Sequence, residues 1–420
     1  MRFISLFFHS IGGQRKKSLW ICLLACCLCC SAFVVSAADG NSSLLSERVS
    51  RKLVAIQRLL DTDQQSAALN KLTLLLEKSR LNVYERAVVN QTLGYVYAGL
   101  ENYPLAIQAF DESLKSNALA DSVAQNLRLN VGQLHIAQAN YREGVGYLET
   151  WLASSDVPNT NIYEMIAIAY YKLEQYEKAV TYLKKSIDIS PTIEKSWLQM
   201  LIAIYFERED FVSAKQQLTA AIKVFPHEKS FWQQLVYAQR QLKQYKAALA
   251  TMALSHKQHL LDSKQIVVLA KFYIEQNLPH KAAQLLTAGL EAKGIANNVD
   301  NVSLLAESWL QAKELDKAAE LFQQAATLSQ DNELYYRAAQ VYTELRDWQS
   351  VVQLQQGRSM SAEDKKAGAM SLLTGIAYFE LNELSLAKQH LQKALADNNT
   401  RRRAKQWLKQ LEVVRNNPLD

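Results

Sequence analysis

Cysteine is missing from almost the whole chain: Cys22, Cys26, Cys27, Cys29 and Cys30 are the only five, and all fall within the first thirty residues. The rest has no thiol for a disulfide, a metal or a nucleophile, so its stability must come from packing. Proline and glycine are scarce, with 6 and 13 in 420 residues. That scarcity disfavours a turn-rich sheet fold. The prevalence of Ala, Leu, Gln, Lys and Glu favours long helices joined by short turns. No G-x-x-x-x-G-K-[ST] or G-x-G-x-x-G stretch cradles a phosphate, and no G-x-S-x-G elbow presents a serine. His227-Glu228 begins like a zinc-protease helix, but Phe231 stands where the second histidine is needed. No catalysis, cofactor, metal or small-molecule substrate is expected.

Clustered positive charge is also lacking. The formal net charge is +6, but Arg2, Arg15, Lys16 and Lys17 stand at the N-terminus with no acid beside them, leaving about +2 for the remainder. A nearly neutral surface argues against nucleic acid as a partner, because phosphate binding rests on grouped cations that release counterions. The first 38 residues have the layout of a secretory signal: Arg15, Lys16 and Lys17 precede an apolar run from Leu19 to Val35, followed by Ser36, Ala37 and Ala38. Cleavage is expected after Ala37 or Ala38, which implies a periplasmic location. The run is also long enough to stay as an uncleaved anchor, the one expected route to a membrane. A lipoprotein-like Leu23-Leu24-Ala25-Cys26 is a third option, although the residues after Cys26 stay apolar.

What the chain does have is a repeat. From Thr160 to Pro191, Ala167 marks a helix crossing, Tyr170 lies one turn on, Tyr176 closes the turn, Ala179 enters a second helix and Leu183 fills the core. Two helices approach closely only over Gly or Ala, and the ring three residues later fills the wider space beside that contact. The frame returns as Gly94, Tyr97, Tyr103, Ala106 and Phe110; as Ala306, Trp309, Leu315, Ala318, Phe322 and Ala325; and as Gly375, Tyr378, Leu384, Ala387, Leu391 and Ala394. Weaker copies bring the units to ten, starting near Val49, Ala87, Gln125, Thr160, Lys195, Lys229, Ser263, Val299, Asn332 and Gly368. The spacing and frame resemble the tetratricopeptide repeat. The expected fold is therefore all-α: a right-handed α-α superhelix over 49–399, after a polar lead-in at 39–48 and before a capping helix and tail at 400–420. Arg401-Arg402-Arg403 reads as the solvated face of that cap, with a docking patch for anionic surfaces or partners as the alternative. His256 and His259, three apart in the second helix of the sixth unit, have no third ligand nearby.

In this repeat the first helix of each hairpin lines the inner wall, and residues two, five, nine and twelve of a unit share one stripe. Those offsets select Gln91, Tyr95, Gln133, Tyr171, Gln199, Phe206, Gln233, Tyr237, Arg240, Lys271, Glu307, Tyr336, Gln340 and Phe379. Amides that both donate and accept, together with rings that give area at low entropy cost, suit an extended protein segment. Packing between adjacent first helices is the competing role for each of these rings. The Lys and Asn pair by which chaperone-docking repeats hold a C-terminal carboxylate is replaced by neutral pairs such as Gln91 with Tyr95, so that clamp is not carried over.

Three stretches point further: Leu93-Gly94-Tyr95-Val96-Tyr97-Ala98-Gly99; Phe231-Trp232-Gln233-Gln234-Leu235 leading to Tyr245-Lys246-Ala247-Ala248-Leu249-Ala250; and Ala312-Lys313-Glu314-Leu315-Asp316-Lys317-Ala318-Ala319-Glu320. In register and spacing they resemble the periplasmic tetratricopeptide proteins of TonB energy-transduction systems in gamma-proteobacteria. The resemblance implies a non-catalytic scaffold serving TonB-dependent transport, with a TonB, ExbB and ExbD type complex or an outer-membrane receptor as partner. Alternatives are a scaffold for outer-membrane protein, pilus or polysaccharide assembly, or an accessory subunit of a cell-wall enzyme complex. The long, Cys-rich leader is not carried over from that family.

Overall fold

The computed structural model describes residues 45–155, 159–356, 364 and 366–416. The leader, its cleavage positions, the five cysteines and most of the polar lead-in lie outside them. The described residues form 21 helices and no strand. No described helix is long and apolar enough to cross a membrane. The chain divides into two compact units, one up to Asp210 and one from Phe211 onward.

The first unit holds α1 (Glu47–Asp61), α2 (Gln65–Lys78), α3 (Val83–Gly99), α4 (Tyr103–Lys115), α5 (Asp121–Ala137), α6 (Tyr141–Ala153), α7 (Thr160–Lys172), α8 (Tyr176–Ile189) and α9 (Lys195–Glu207). The second holds α10 (Phe211–Val224), α11 (Lys229–Gln241), α12 (Tyr245–Lys257), α13 (Ser263–Glu275), α14 (Pro279–Glu291), α15 (Val299–Gln311), α16 (Leu315–Ser329), α17 (Asn332–Leu345), α18 (Trp348–Gln355), α19 (Ala367–Glu380), α20 (Leu384–Ala394) and α21 (Arg401–Asn416). Within each unit the main contacts join helices adjacent in sequence, which makes each an α-α superhelical stack of hairpins.

Close approach inside a hairpin rests on a small residue facing a large one sixteen positions later. A Cβ added to Gly94 would fall on the Phe110 ring, one on Gly132 would lie 2.8 Å from Leu148, and one on Gly375 would lie 2.8 Å from Leu391. Ala167 with Leu183 and Ala306 with Phe322 are the fully buried alanine versions. Side chains bond hairpins together as well. The Ser113 hydroxyl donates to the Ala87 carbonyl at 2.7 Å, and Ser186 donates to the Thr160 carbonyl at 3.3 Å, so two second helices tie back to their first helices at one register.

The turn that follows the first helix of each of the ten repeats is the same, although no glycine announces it. Asp63, Glu101, Ala139, Glu174, Glu209, Lys243, Asn277, Lys313, Arg346 and Asn382 all have positive φ, each fourteen residues after its unit's start. The next residue's N–H bonds back across the turn, as from Gln64 to the Leu59 carbonyl at 2.8 Å, Asn140 to His135 at 2.9 Å and Glu314 to Trp309 at 3.0 Å. This is the six-to-one closure of a Schellman cap, which satisfies a carbonyl the helix end would otherwise orphan. In most units the acceptor is the ring residue of the repeat frame, such as Tyr97, Tyr170, Tyr273 or Trp309.

Helix starts depart from the sequence reading at the N-terminal side. Glu47 and Arg48, read as lead-in, already belong to α1, because the Ser46 hydroxyl accepts from the Val49 amide. α3 begins four residues before Ala87, capped by a reciprocal box in which Asn82 accepts from the Glu85 amide and Glu85 accepts from the Asn82 amide. Glu85 also accepts from the amide and hydroxyl of Ser46, so one buried carboxylate starts two helices. Burial opposes its charge, but the Ser46 and Asn82 donors outweigh this and hold its pKa below the ordinary glutamate value. The histidine pair is also corrected: α12 ends at Lys257, and His259 sits in the following turn with φ 57°.

Candidate partner-binding surface

All fourteen residues of the expected stripe lie on first helices of hairpins: α3, α5, α7, α9, α11, α13, α15, α17 and α19. Their surroundings differ between the two units. In the first unit Gln91, Tyr95, Gln133, Tyr171, Gln199 and Phe206 are all half-buried. The Tyr95 hydroxyl accepts from Asn130 Nδ2 of the next first helix at 3.2 Å, and its ring meets Phe110 edge-on at 5.0 Å. Tyr171 lies 5.8 Å from Tyr176, and burial beside Glu207 raises its pKa.

In the second unit Gln233, Tyr237, Arg240, Lys271 and Gln340 are exposed, Tyr237 by 52%. Tyr237 meets Phe211 edge-on at 6.2 Å, which steadies the ring without covering it. The Arg240 guanidinium lies 5.4 Å from the centre of the Phe272 ring on the neighbouring first helix. One face therefore brings together two cations, an amide and a ring from α11 and α13. Lys264, one helical stripe with Lys271, is exposed beside them, and Glu275 is the acid at the far end. Further along, Glu307 is engaged by Arg337, whose guanidinium also sits 4.7 Å over Phe322. The Tyr336 hydroxyl accepts from Gln340 at 3.0 Å, and Lys366 lies 4.9 Å over the Tyr336 ring and 3.1 Å from Glu333. Phe379 packs on Trp407 of the closing helix at 5.3 Å, so its ring serves the cap.

Sequence reasoning missed a second set of polar links, which join a second helix to the hairpin that follows it. The Tyr147 hydroxyl donates to Asp111 at 2.6 Å, and Glu149 accepts from Tyr170 at 2.6 Å and from Tyr182 at 2.9 Å. Burial and the neighbouring carboxylate raise the pKa of all three tyrosines. In the third unit the ring position of the frame is held by His135, stacked on Tyr147 at 5.6 Å. Burial lowers its pKa despite Asp111 and Glu143. Among the described residues no group of three metal-ligating side chains converges.

Residues 160–193 and residues 268–333 match two family models, both described as tetratricopeptide repeat. No curated protein matches the chain. Among solved structures the chain is similar to MamA from Desulfovibrio magneticus RS-1, at 19% identity over 44% of this chain and 99% of that one, with a TM-score of 0.34. It is also similar to a tetratricopeptide repeat protein from Parabacteroides merdae, at 14% identity over 62% of this chain and 99% of that one, TM-score 0.33. The C-terminal part of a repeat-containing protein from Cytophaga hutchinsonii matches at 14% identity, covering 68% and 98%, TM-score 0.34. Scores this low carry no functional argument. The hairpins and the two matched stretches agree: over residues 160–193 and 268–333 this chain is built of tetratricopeptide repeats.

Proposed function

We propose that the chain is an exported, non-catalytic scaffold that holds an extended segment of another protein against the first-helix face of α11 and α13. The observation that carries this reading is the exposed group of Gln233, Tyr237, Arg240 and Lys271. The equivalent groups of the first unit are drawn into packing. A Gln amide matches the donor and acceptor of a passing backbone, a held ring contributes contact area, and two cations favour carboxylates in the guest. Repeats of this type generally mediate protein–protein contact, which agrees in kind.

The leader supports a periplasmic site of action, and the resemblance to TonB-associated repeat proteins supports a role beside a TonB, ExbB and ExbD type complex or an outer-membrane receptor. A photo-crosslinking residue at Gln233 or Tyr237, in living cells, is expected to capture a protein, whereas one at Lys246 on the second helix α12 is not. Capture from Lys246 alone would overturn the surface assignment. Recovery of TonB-system proteins, and poor growth of a deletion strain under iron limitation, is the outcome expected of the transport role. Recovery of pilus, polysaccharide-export or cell-wall components would replace it with an assembly role.

A further inference from the structure

Helix α21 carries Arg401, Arg402, Arg403, Lys405, Lys409 and Arg415 against a single acid, Glu412. Its apolar side is already occupied: Ala404 and Leu411 are buried, with Trp407 and Leu408 beside them, in a cluster with Leu372, Ile376, Leu391 and Ala394. The six cations are exposed, and among the described residues none forms an ion pair. Elsewhere in the same unit some cations are paired, as Arg337 with Glu307 and Lys366 with Glu333, and others, such as Lys246, Lys257 and Lys281, are exposed outside any such run.

Two features separate this face from ordinary solvated surface. Three arginines fill the first turn of the helix, where the positive end of the macrodipole disfavours cations, and no acid stands there to compensate. Arg401 donates to the Leu395 carbonyl at 3.0 Å and so ties the end of α20, but a helix kept only as a cap would gain from the opposite charges at the next two positions, so local stability does not explain Arg402 and Arg403. The second feature is alignment. At about 100° per residue, Arg402, Lys405 and Lys409 fall within one narrow sector, opposite Ala404 and Leu411. Val413, 55% exposed, continues that sector toward the C-terminus.

We infer that this face of α21 docks on an anionic bilayer surface. A straight row of flexible cations along the outer flank of one helix suits a plane of phosphate headgroups. The apolar side of the helix is committed to the fold, so attraction is electrostatic and superficial, without insertion. The same chain carries the apolar run from Leu19 to Val35 behind three cations, the layout of a segment that enters a bilayer, so a membrane is a surface this chain meets. The inference stands apart from the peptide-binding face of α11 and α13, and either can fail alone.

The test is co-sedimentation of the full chain with vesicles of phosphatidylcholine, with and without about 30% phosphatidylglycerol, at low and high salt. The variant Arg402→Glu with Lys405→Glu and Lys409→Glu is compared with Lys246→Glu, Lys257→Glu and Lys281→Glu, which changes net charge equally at exposed sites on α12 and α14. All proteins carry the same N-terminus, so the leader's apolar insertion is the part bound equally to neutral vesicles and at high salt, only the excess on anionic vesicles is compared, and circular dichroism verifies that each is folded. Each cation near such a surface is worth about a fivefold change in partition, so the α21 variant is expected to bind anionic vesicles at least a hundredfold more weakly. The α12/α14 variant is expected to bind as the parent does, and high salt is expected to abolish the excess on anionic vesicles. Equal binding by the two variants, equal binding to neutral vesicles, or binding to polyglutamate without binding to anionic vesicles would each overturn the inference.

Discussion

The two units use one hairpin design, yet their first-helix faces have different surroundings. Up to Asp210 every residue of the expected binding stripe is half-buried, and Tyr95 shows why: its hydroxyl meets Asn130 on the next first helix and its ring meets Phe110 below. From Phe211 onward α11 presents Gln233, Tyr237 and Arg240 to solvent, and its nearest first-helix neighbour answers with Lys271. A shared repeat position thus does not have a shared role. Where the flanking side chains are apolar or complementary, the stripe is absorbed into stack-to-stack packing. Where they are long and charged, it remains open to a partner.

The comparison can be broken most sharply at the helix crossings, which both units share. Gly132→Leu places a side chain where Leu148 already lies, and overpacking of this kind is expected to cost about 3 kcal/mol or more by urea titration. Exchange protection is expected to fall in α5, α6 and their neighbours while the second unit keeps its own, since stacked repeats share stability only locally. Uniform loss of protection along the chain would refute that locality.

The stripe itself comes next. Tyr95→Ala is expected to destabilise by about 2 kcal/mol, because it removes packing and leaves Asn130 without its acceptor. Tyr237→Ala is expected to change stability by less than about 0.5 kcal/mol and to act on crosslinking yield instead. Equal destabilisation by both would remove the distinction between the units.

A third perturbation concerns the N-terminal clasp at Glu85, whose counterpart in the second unit is Asp364, which accepts from Asn332 Nδ2 at 2.6 Å and from the Lys366 amide at 2.8 Å. Glu85→Ala leaves the Ser46 and Asn82 donors unsatisfied and is expected to cost about 2 kcal/mol, read as loss of exchange protection in α1 and the start of α3. Because the folded pKa of Glu85 lies below its unfolded value, its contribution is present above the ordinary glutamate pKa and is lost as pH falls through the lower folded value. Wild-type protection of α1 is expected to fall on acidification through that window. Glu85→Gln is expected to flatten the dependence.

The smallest effect is one the two units should share. Lys243→Gly and Glu174→Gly relieve a side chain held at positive φ, and each is expected to stabilise by about 0.5 kcal/mol in thermal melts once the entropy of the added glycine is deducted. A loss on either substitution would mean that the side chain contributes more at the turn than the backbone strain removes.

The hairpin turns also show where the sequence stops being readable. Ten equivalent left-handed residues are Asp, Glu, Ala, Asn, Lys or Arg, and none is the glycine that a C-terminal cap ordinarily advertises. Helix packing on both sides holds the conformation, so no local preference is needed to mark it. The links from Tyr147 to Asp111 and from Tyr182 to Glu149 were hidden for a related reason: the partners lie 36 and 33 residues apart, close to one repeat, and meet only when hairpins stack. His135 escaped because an imidazole there does the work of a ring without being counted as one.

Small residues at the crossings, bulky ones sixteen positions on and apolar faces at helical spacing are local regularities, and by themselves they determined that this chain is a run of helical hairpins. They operate between residues within one turn or one hairpin, so a linear reading captures them. Whether a given ring faces solvent or a neighbour was decided only by stacking, because that outcome depends on the length and charge of side chains a full repeat away. Tyr95 and Tyr237 occupy the same repeat position, and only the helices beside them make one a packing element and the other a surface.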